Sequence, residues 1–195
     1  MVNMISKPYL IVFYGPPCSG KTTLSNMLSQ DLAYKLIGTD SIRISRLMTK
    51  QDLYTQSMVD MVYAMLMDAI EESLSQNTSV IAEGMFITKY NKLRILDYFE
   101  KANLKFIYVT ASIDILMERL FLRDKPTGDN ILHHKIPLSL EKLASFFSLS
   151  KKPLHNEIII DTTTESKEES FARIKKIISV NYSYDFLLEN AIREH

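Results

Sequence analysis

A disulfide framework is excluded at once, because the chain holds a single cysteine, Cys18; a lone thiol fits a reducing compartment. Surplus charge is missing too. Lys and Arg number 23, Asp and Glu 23, and the formal net charge is zero, so no global field draws the chain toward nucleic acid or an anionic membrane. No apolar run approaches the roughly 20 residues of a membrane span, and Met1–Lys7 does not read as a signal peptide. Internal repeats and low-complexity tracts are absent. These absences leave the expectation of a cytoplasmic globular protein, and 195 residues suit one domain, or one domain with a small insertion.

Glycine is scarce, with five in the chain, and none falls inside a predicted helix or strand. Two of them frame Gly15-Pro16-Pro17-Cys18-Ser19-Gly20-Lys21-Thr22, which fits the phosphate-loop pattern G-x-x-x-x-G-K-[ST] without a mismatch. A loop bent around an anion aims successive backbone N–H groups at its oxygens. Such bends need residues without a Cβ, here Gly15 and Gly20. Lys21 supplies an ammonium for the outer phosphates of a nucleoside triphosphate, here ATP. The Thr22 hydroxyl is placed to bind Mg²⁺, and the helix that begins here directs its positive end at the same point. The apolar run Tyr9–Tyr14 ahead of the loop reads as a buried parallel strand. Behind it, Leu24, Met27, Leu28, Leu32 and Leu36 keep helical spacing.

Further along, short strands alternate with helical patterns. Strands are expected at Tyr9–Tyr14, Lys35–Ile37, Ser79–Ala82, Lys105–Val109 and Glu157–Ile160. Helices are expected at about Lys21–Tyr34, Ser41–Met48, Asp52–Ser75, Lys89–Ala102, Ile113–Arg123, Leu138–Phe147 and Lys167–Val180, with a short amphipathic tail near Phe186–Ile192. The alternation predicts an α/β fold with a parallel sheet covered on both faces, whose ligands bind beyond the carboxyl ends of the strands. Gly15, Gly20, Gly38 and Gly84 all fall there. The polar segment Asp124–Lys135, with Pro126 and Gly128, reads as a mobile lid.

Three constellations carry candidate chemistry. Asp40 and Arg43 lie just beyond the second strand, three apart on one helix face. Asp40 is placed to take a proton from an acceptor hydroxyl, or simply to cap a helix beginning at Ser41; Arg43 is placed to bind a phosphate. Glu83 ends the third strand, where a carboxylate holds Mg²⁺, contacts the acceptor, or closes a loop. Arg119 and Arg123 are four apart on one helix, suited to the charge that builds on a transferring phosphoryl, or to pairing with Glu118 and Asp124 on a solvated face. Cys18 reads as a loop filler rather than a nucleophile, His133-His134 as lid surface, and the methionine-rich helix Asp52–Ser75 as core more than ligand pocket. The basic positions Lys89, Lys92, Arg94, Lys101 and Lys105 are too sparse to argue for nucleic acid.

With those residues in view, the chain resembles the P-loop kinases. The likeness is to the branch of 5′-hydroxyl polynucleotide kinases, chloramphenicol phosphotransferases and zeta-toxin sugar-nucleotide kinases, whose domains are often labelled AAA-type ATPase. It spans about Tyr9 to Asp161 and rests on Gly15 through Thr23, on Asp40-Ser41-Ile42-Arg43, and on Glu118-Arg119-Leu120-Phe121-Leu122-Arg123. The resemblance implies a three-layer P-loop NTPase fold with a five-stranded parallel sheet in the order 2-3-1-4-5. It implies a kinase domain over 1–180, with a lid near 119–137, acceptor-side helices near 41–77, and a tail over 181–195. Gly15, Pro16, Pro17, Cys18, Ser19, Gly20, Lys21, Thr22 and Thr23 would then hold ATP, with Arg119 and Arg123 on its phosphates. Lys21, Asp40 and Arg123 would be catalytic, Asp40, Arg43 and Glu83 would meet the acceptor, and Thr22 and Glu83 would hold Mg²⁺. Glu83 departs from the Asp frequent at its position. No room is left for the second helical lobe of an AAA+ remodelling motor, and Asn91-Lys92-Leu93-Arg94 ends in Arg where guanine reading needs Asp. The activity so implied is transfer of the ATP γ-phosphoryl to a hydroxyl of a small molecule or nucleotide. The alternatives are a polynucleotide 5′-hydroxyl kinase and a non-catalytic ATP-binding module.

Overall fold

Strand β1, Tyr9–Tyr14, is buried along nearly its whole length, and that burial follows from its place between two neighbours. It pairs in parallel with β3, Val80–Glu83, on one side and β4, Asn103–Thr110, on the other. β2, Lys35–Gly38, extends the sheet beyond β3, and β5, Ile158–Asp161, extends it beyond β4. The order is β2-β3-β1-β4-β5, all parallel, as the resemblance implies. A computed structural model describes residues 7–45, 55–85, 94–98, 100–123, 139–150 and 158–179.

Alternation along β1 divides the core into two. Leu10, Val12 and Tyr14 face a cluster with Tyr63, Leu66, Met67, Ile70 and Leu74 of helix α3, Gln56–Ser75. Ile11 and Phe13 face the opposite cluster, with Leu24 and Leu28 of α1, Lys21–Leu32, and Ile174 and Ile178 of α6, Lys167–Ser179. Helices on both faces are what an all-parallel sheet requires, since its strands have no polar side to give to water. A smaller third cluster joins Leu116 and Leu120 of α4, Ile113–Arg123, to Leu143 of α5, Leu140–Ser150.

The element boundaries correct several expectations. α1 stops at Leu32 rather than Tyr34, because Ala33 turns left-handed with φ 53°. α2, Thr39–Ser45, begins two residues earlier than expected, so Asp40 sits in its first turn and does not cap it. α3 starts at Gln56, since Thr55 is extended. The helix expected over Lys89–Ala102 is helical among the described residues only at Arg94–Leu96 and then tightens into turns, with Tyr98 N donating to Ile95 O and Lys101 N to Tyr98 O. The chain has to turn there, because β4 starts two residues early, with Asn103 N donating to Pro8 O at 2.7 Å. Met48, the Asp124–Lys135 segment with His133-His134, and the 181–195 tail lie outside the described residues.

Gly15 is the tightest point of the fold. It leaves β1 at φ 138°, and a Cβ there would stand 2.0 Å from the Val109 carbonyl oxygen, well inside any tolerable contact. Gly15→Ala should therefore destabilise the protein by on the order of 3 kcal/mol or more, read as a lowered midpoint in urea unfolding; an unchanged midpoint would show that β1 and β4 can separate freely.

Candidate active site

The phosphate loop runs from the end of β1 to the start of α1. Cys18 at φ 64° and Gly20 at φ 96° provide its two left-handed bends. α1 has no side-chain cap and no acid in its first turn, and its first helical bond is Leu24 N to Gly20 O, 3.0 Å. A helix that opens without a capping side chain or an acid suits an anion at its N-terminus. Lys21 is buried, and its Nζ donates to Pro16 O at 2.8 Å, arching back over the loop. Cys18 packs its thiol against the Leu116–Leu120–Leu143 cluster.

The neighbouring strands bring further groups to the loop. Thr22 Oγ1 donates to Glu83 Oε1 at 2.8 Å. Burial pushes the Glu83 carboxyl above its ordinary value of 4.5; the Lys21 ammonium and the Thr22 hydroxyl draw it partly back, and Asp40 adds to the rise. Beyond β2, Ser41 Oγ donates to Gly38 O at 2.7 Å and holds the turn into α2. Arg43 Nη1 donates to Asp40 Oδ1 at 2.9 Å, with the Arg43 side chain 4% exposed and Asp40 63%. Residues from the loop, α2 and Glu83–Met85 line one cavity of about 940 Å³, large enough for a nucleotide beside a second ligand.

Arg119 reaches the loop from α4, pairing with neither Glu118 nor a solvated face. Its Nη1 donates to Thr162 Oγ1 at 2.8 Å and to Cys18 O at 3.4 Å, and Nη2 donates to Thr162 O at 2.8 Å. Arg119 lines the cavity as well. Arg123 is the last residue of α4, and its side chain lies outside the described residues. Reading the sequence missed Thr162, Phe146, Glu165 and Lys167, which form the rim on this side. A signal for Thr162 existed: it follows β5 as Gly15 follows β1 and Gly84 follows β3.

Among the described residues no group of three His, Cys, Asp or Glu side chains is spaced to hold a metal, and no helix is long and apolar enough to cross a membrane. Thr22 and Glu83 offer two adjacent oxygens, which fits Mg²⁺, a cation that keeps several waters and completes its shell with substrate phosphates.

The family model described as AAA domain matches residues 10–136, from β1 past α4. The chain belongs to the AAA domain family. This AAA domain is similar in structure to a candidate kinase from Chloroflexus aurantiacus, with TM-score 0.68, 23% identity, and coverage of 88% of this chain and 98% of that one. A sugar kinase from Janibacter sp. HTCC2649 gives TM-score 0.66 at 15% identity, covering 89% and 96%. Kti12 from Chaetomium thermophilum, solved with ADP-AlF3, gives TM-score 0.66 at 17% identity, covering 89% and 100%. No curated protein matches the sequence.

The raised Glu83 carboxyl makes stability depend on pH in a definite direction. The folded state binds this proton more tightly than the unfolded one, so the contribution is present at low pH and is lost as pH rises through the folded value. Glu83→Gln keeps an acceptor for Thr22 and removes that loss. The variant should gain stability over the wild type as pH rises above the ordinary carboxylate value of 4.5, measured as the difference in unfolding midpoints; a pH-independent difference would contradict the shift.

Proposed function

We propose that this AAA domain is an ATP-dependent kinase that transfers the γ-phosphoryl to a hydroxyl of a small molecule or nucleotide. The observation that carries the reading is the shared cavity. The phosphate loop and the Asp40–Arg43 pair line the same space, so a donor on the loop and an acceptor on α2 can meet without solvent between them. The neighbour solved with ADP-AlF3 and the neighbour described as a sugar kinase support it.

Loop amides and the Lys21 ammonium bind the β- and γ-phosphates, with Lys21 exchanging its contact to Pro16 O for phosphate oxygen. Asp40 orients the acceptor hydroxyl and takes its proton as the oxygen attacks. Arg43 stays paired to Asp40 through Nη1, and its positive charge at the cavity favours the acceptor or the moving phosphoryl. Thr22 and Glu83 would hold Mg²⁺, which when bound supplies charge neutralisation across the phosphates. Arg123 is assigned to the transferring phosphoryl by its place at the end of α4.

A transfer screen with radiolabelled ATP against nucleosides, sugars, sugar nucleotides, antibiotics and RNA ends tests the proposal. Lys21→Ala should lower phosphotransfer by about 10²–10³-fold, the scale of losing one preorganised charge. Asp40→Asn should lower it by about 10²-fold or more while ATP affinity stays within about twofold. Wild-type turnover in either variant would overturn this mechanism, whereas tight ATP binding with no acceptor phosphorylated would move the reading to an ATP-responsive binding module. Acceptor binding confined to oligonucleotides and falling steeply with salt would move it to an end-directed polynucleotide kinase.

A further inference from the structure

A loop that aims its amides at an anion turns carbonyls away from it, and here two of those carbonyls are met from behind. The Thr162 hydroxyl stands 2.9 Å from Ser19 O and 3.1 Å from Thr110 O, with one proton to give to either, and it accepts Arg119 Nη1 at 2.8 Å. Arg119 also reaches Thr162 O and Cys18 O. Thr162 is only 7% exposed, and its own N–H is held by Thr110 O at 2.8 Å. One hydroxyl oxygen thus joins the exit of β5, the end of β4, α4 and the phosphate loop. These contacts span 43 to 143 positions of sequence, so they fix the loop against the body of the fold and not merely against itself.

On the reading that the loop holds a nucleoside polyphosphate, we infer that Thr162 is a positioning residue for that ligand. Its hydroxyl, with the Arg119 guanidinium it anchors, pins the Cys18 and Ser19 carbonyls outward. The peptide units of the loop are then already turned with their N–H groups toward the phosphate site when nucleotide arrives, and binding does not have to order them. Without the hydroxyl, Ser19 O loses its donor and Arg119 Nη1 loses its best acceptor, both in a poorly hydrated place where unmade bonds are costly. Thr162 touches no reacting atom in this scheme; it acts through the loop.

Thr162→Val removes the hydroxyl at nearly constant shape, and Thr162→Ser keeps it. Two readouts are needed: hydrogen exchange of the amides at positions 18–20 without nucleotide, and calorimetric affinity for ADP with Mg²⁺. Thr162→Val should speed loop exchange by about tenfold and weaken ADP by about tenfold, with Thr162→Ser within about twofold of wild type in both. Exchange in the remote helix α3 should stay unchanged. Wild-type loop exchange in Thr162→Val overturns the inference. So does an equal loss in both variants, or a rise shared by α3, which would mark general destabilisation. Should Thr162→Val not fold, Arg119→Gln removes the guanidinium's bonds to Cys18 O and Thr162 and leaves the Thr162 hydroxyl on Ser19 O; it should speed exchange at positions 18–20 by severalfold, and unchanged exchange there overturns the inference. A wild type that binds no ADP sinks the kinase reading, while the exchange comparison still decides whether Thr162 holds the loop.

Discussion

The site depends on how closely two backbones approach at the end of β1. Gly15 passes the Val109 carbonyl with no room for a Cβ, so the loop leaves the sheet directly over its central strand. That exit point decides which groups can reach it. With the order β2-β3-β1-β4-β5, β3 supplies Glu83 to one flank of the loop, and β4 and β5 supply Thr110 and Thr162 to the other. The acid-bearing side leads on to α2 and the hydroxyl-bearing side to α4. A central strand with two neighbours thus gives the loop one flank that carries Glu83 and leads to α2, and another that fixes its backbone.

Charge is distributed along the same axis. Lys21 tempers the burial of Glu83, and Glu83 remains above its ordinary range because desolvation outweighs its two favourable partners. The carboxylate nearest the loop is therefore the one least content to be charged. A divalent cation bound to Thr22 and Glu83 would relieve that desolvation, which couples ion affinity to the same proton that sets local stability. Asp40 stands farther out, 63% exposed and paired with Arg43.

The loop was legible in the sequence because each of its demands is local. A left-handed bend asks for glycine, and an anion asks for N–H groups and a lysine a fixed distance on. The α3 core face follows helical periodicity only in part: Val62, Leu66, Ile70 and Leu74 are buried, but so are Tyr63 and Met67, while Met61 is 41% exposed. Arg119 was legible only as a cation on the right helix, since its partners are a threonine 43 residues later and a loop carbonyl 101 residues earlier. The shortened helix before β4 misled in the opposite way. Ile95, Tyr98 and Ala102 are all buried at spacings a helix would give, yet the chain there turns to meet Pro8. Amphipathic spacing records which residues are inward; it does not record the tertiary bond that ends the element.

Helix α2 buries little apolar surface of its own. Only Thr39 and Arg43 are buried in it, and Ile42 packs at the edge of the larger cluster. The helix packs against α3 and β2, and the Ser41–Gly38 turn fixes its start. A nearly buried guanidinium is expensive to desolvate and is tolerated when its counter-charge stays close. Asp40 and Arg43 share α2, three positions apart, so their pair fixes the guanidinium within the helix; removing the Asp40 carboxylate would leave a nearly buried charge without that partner.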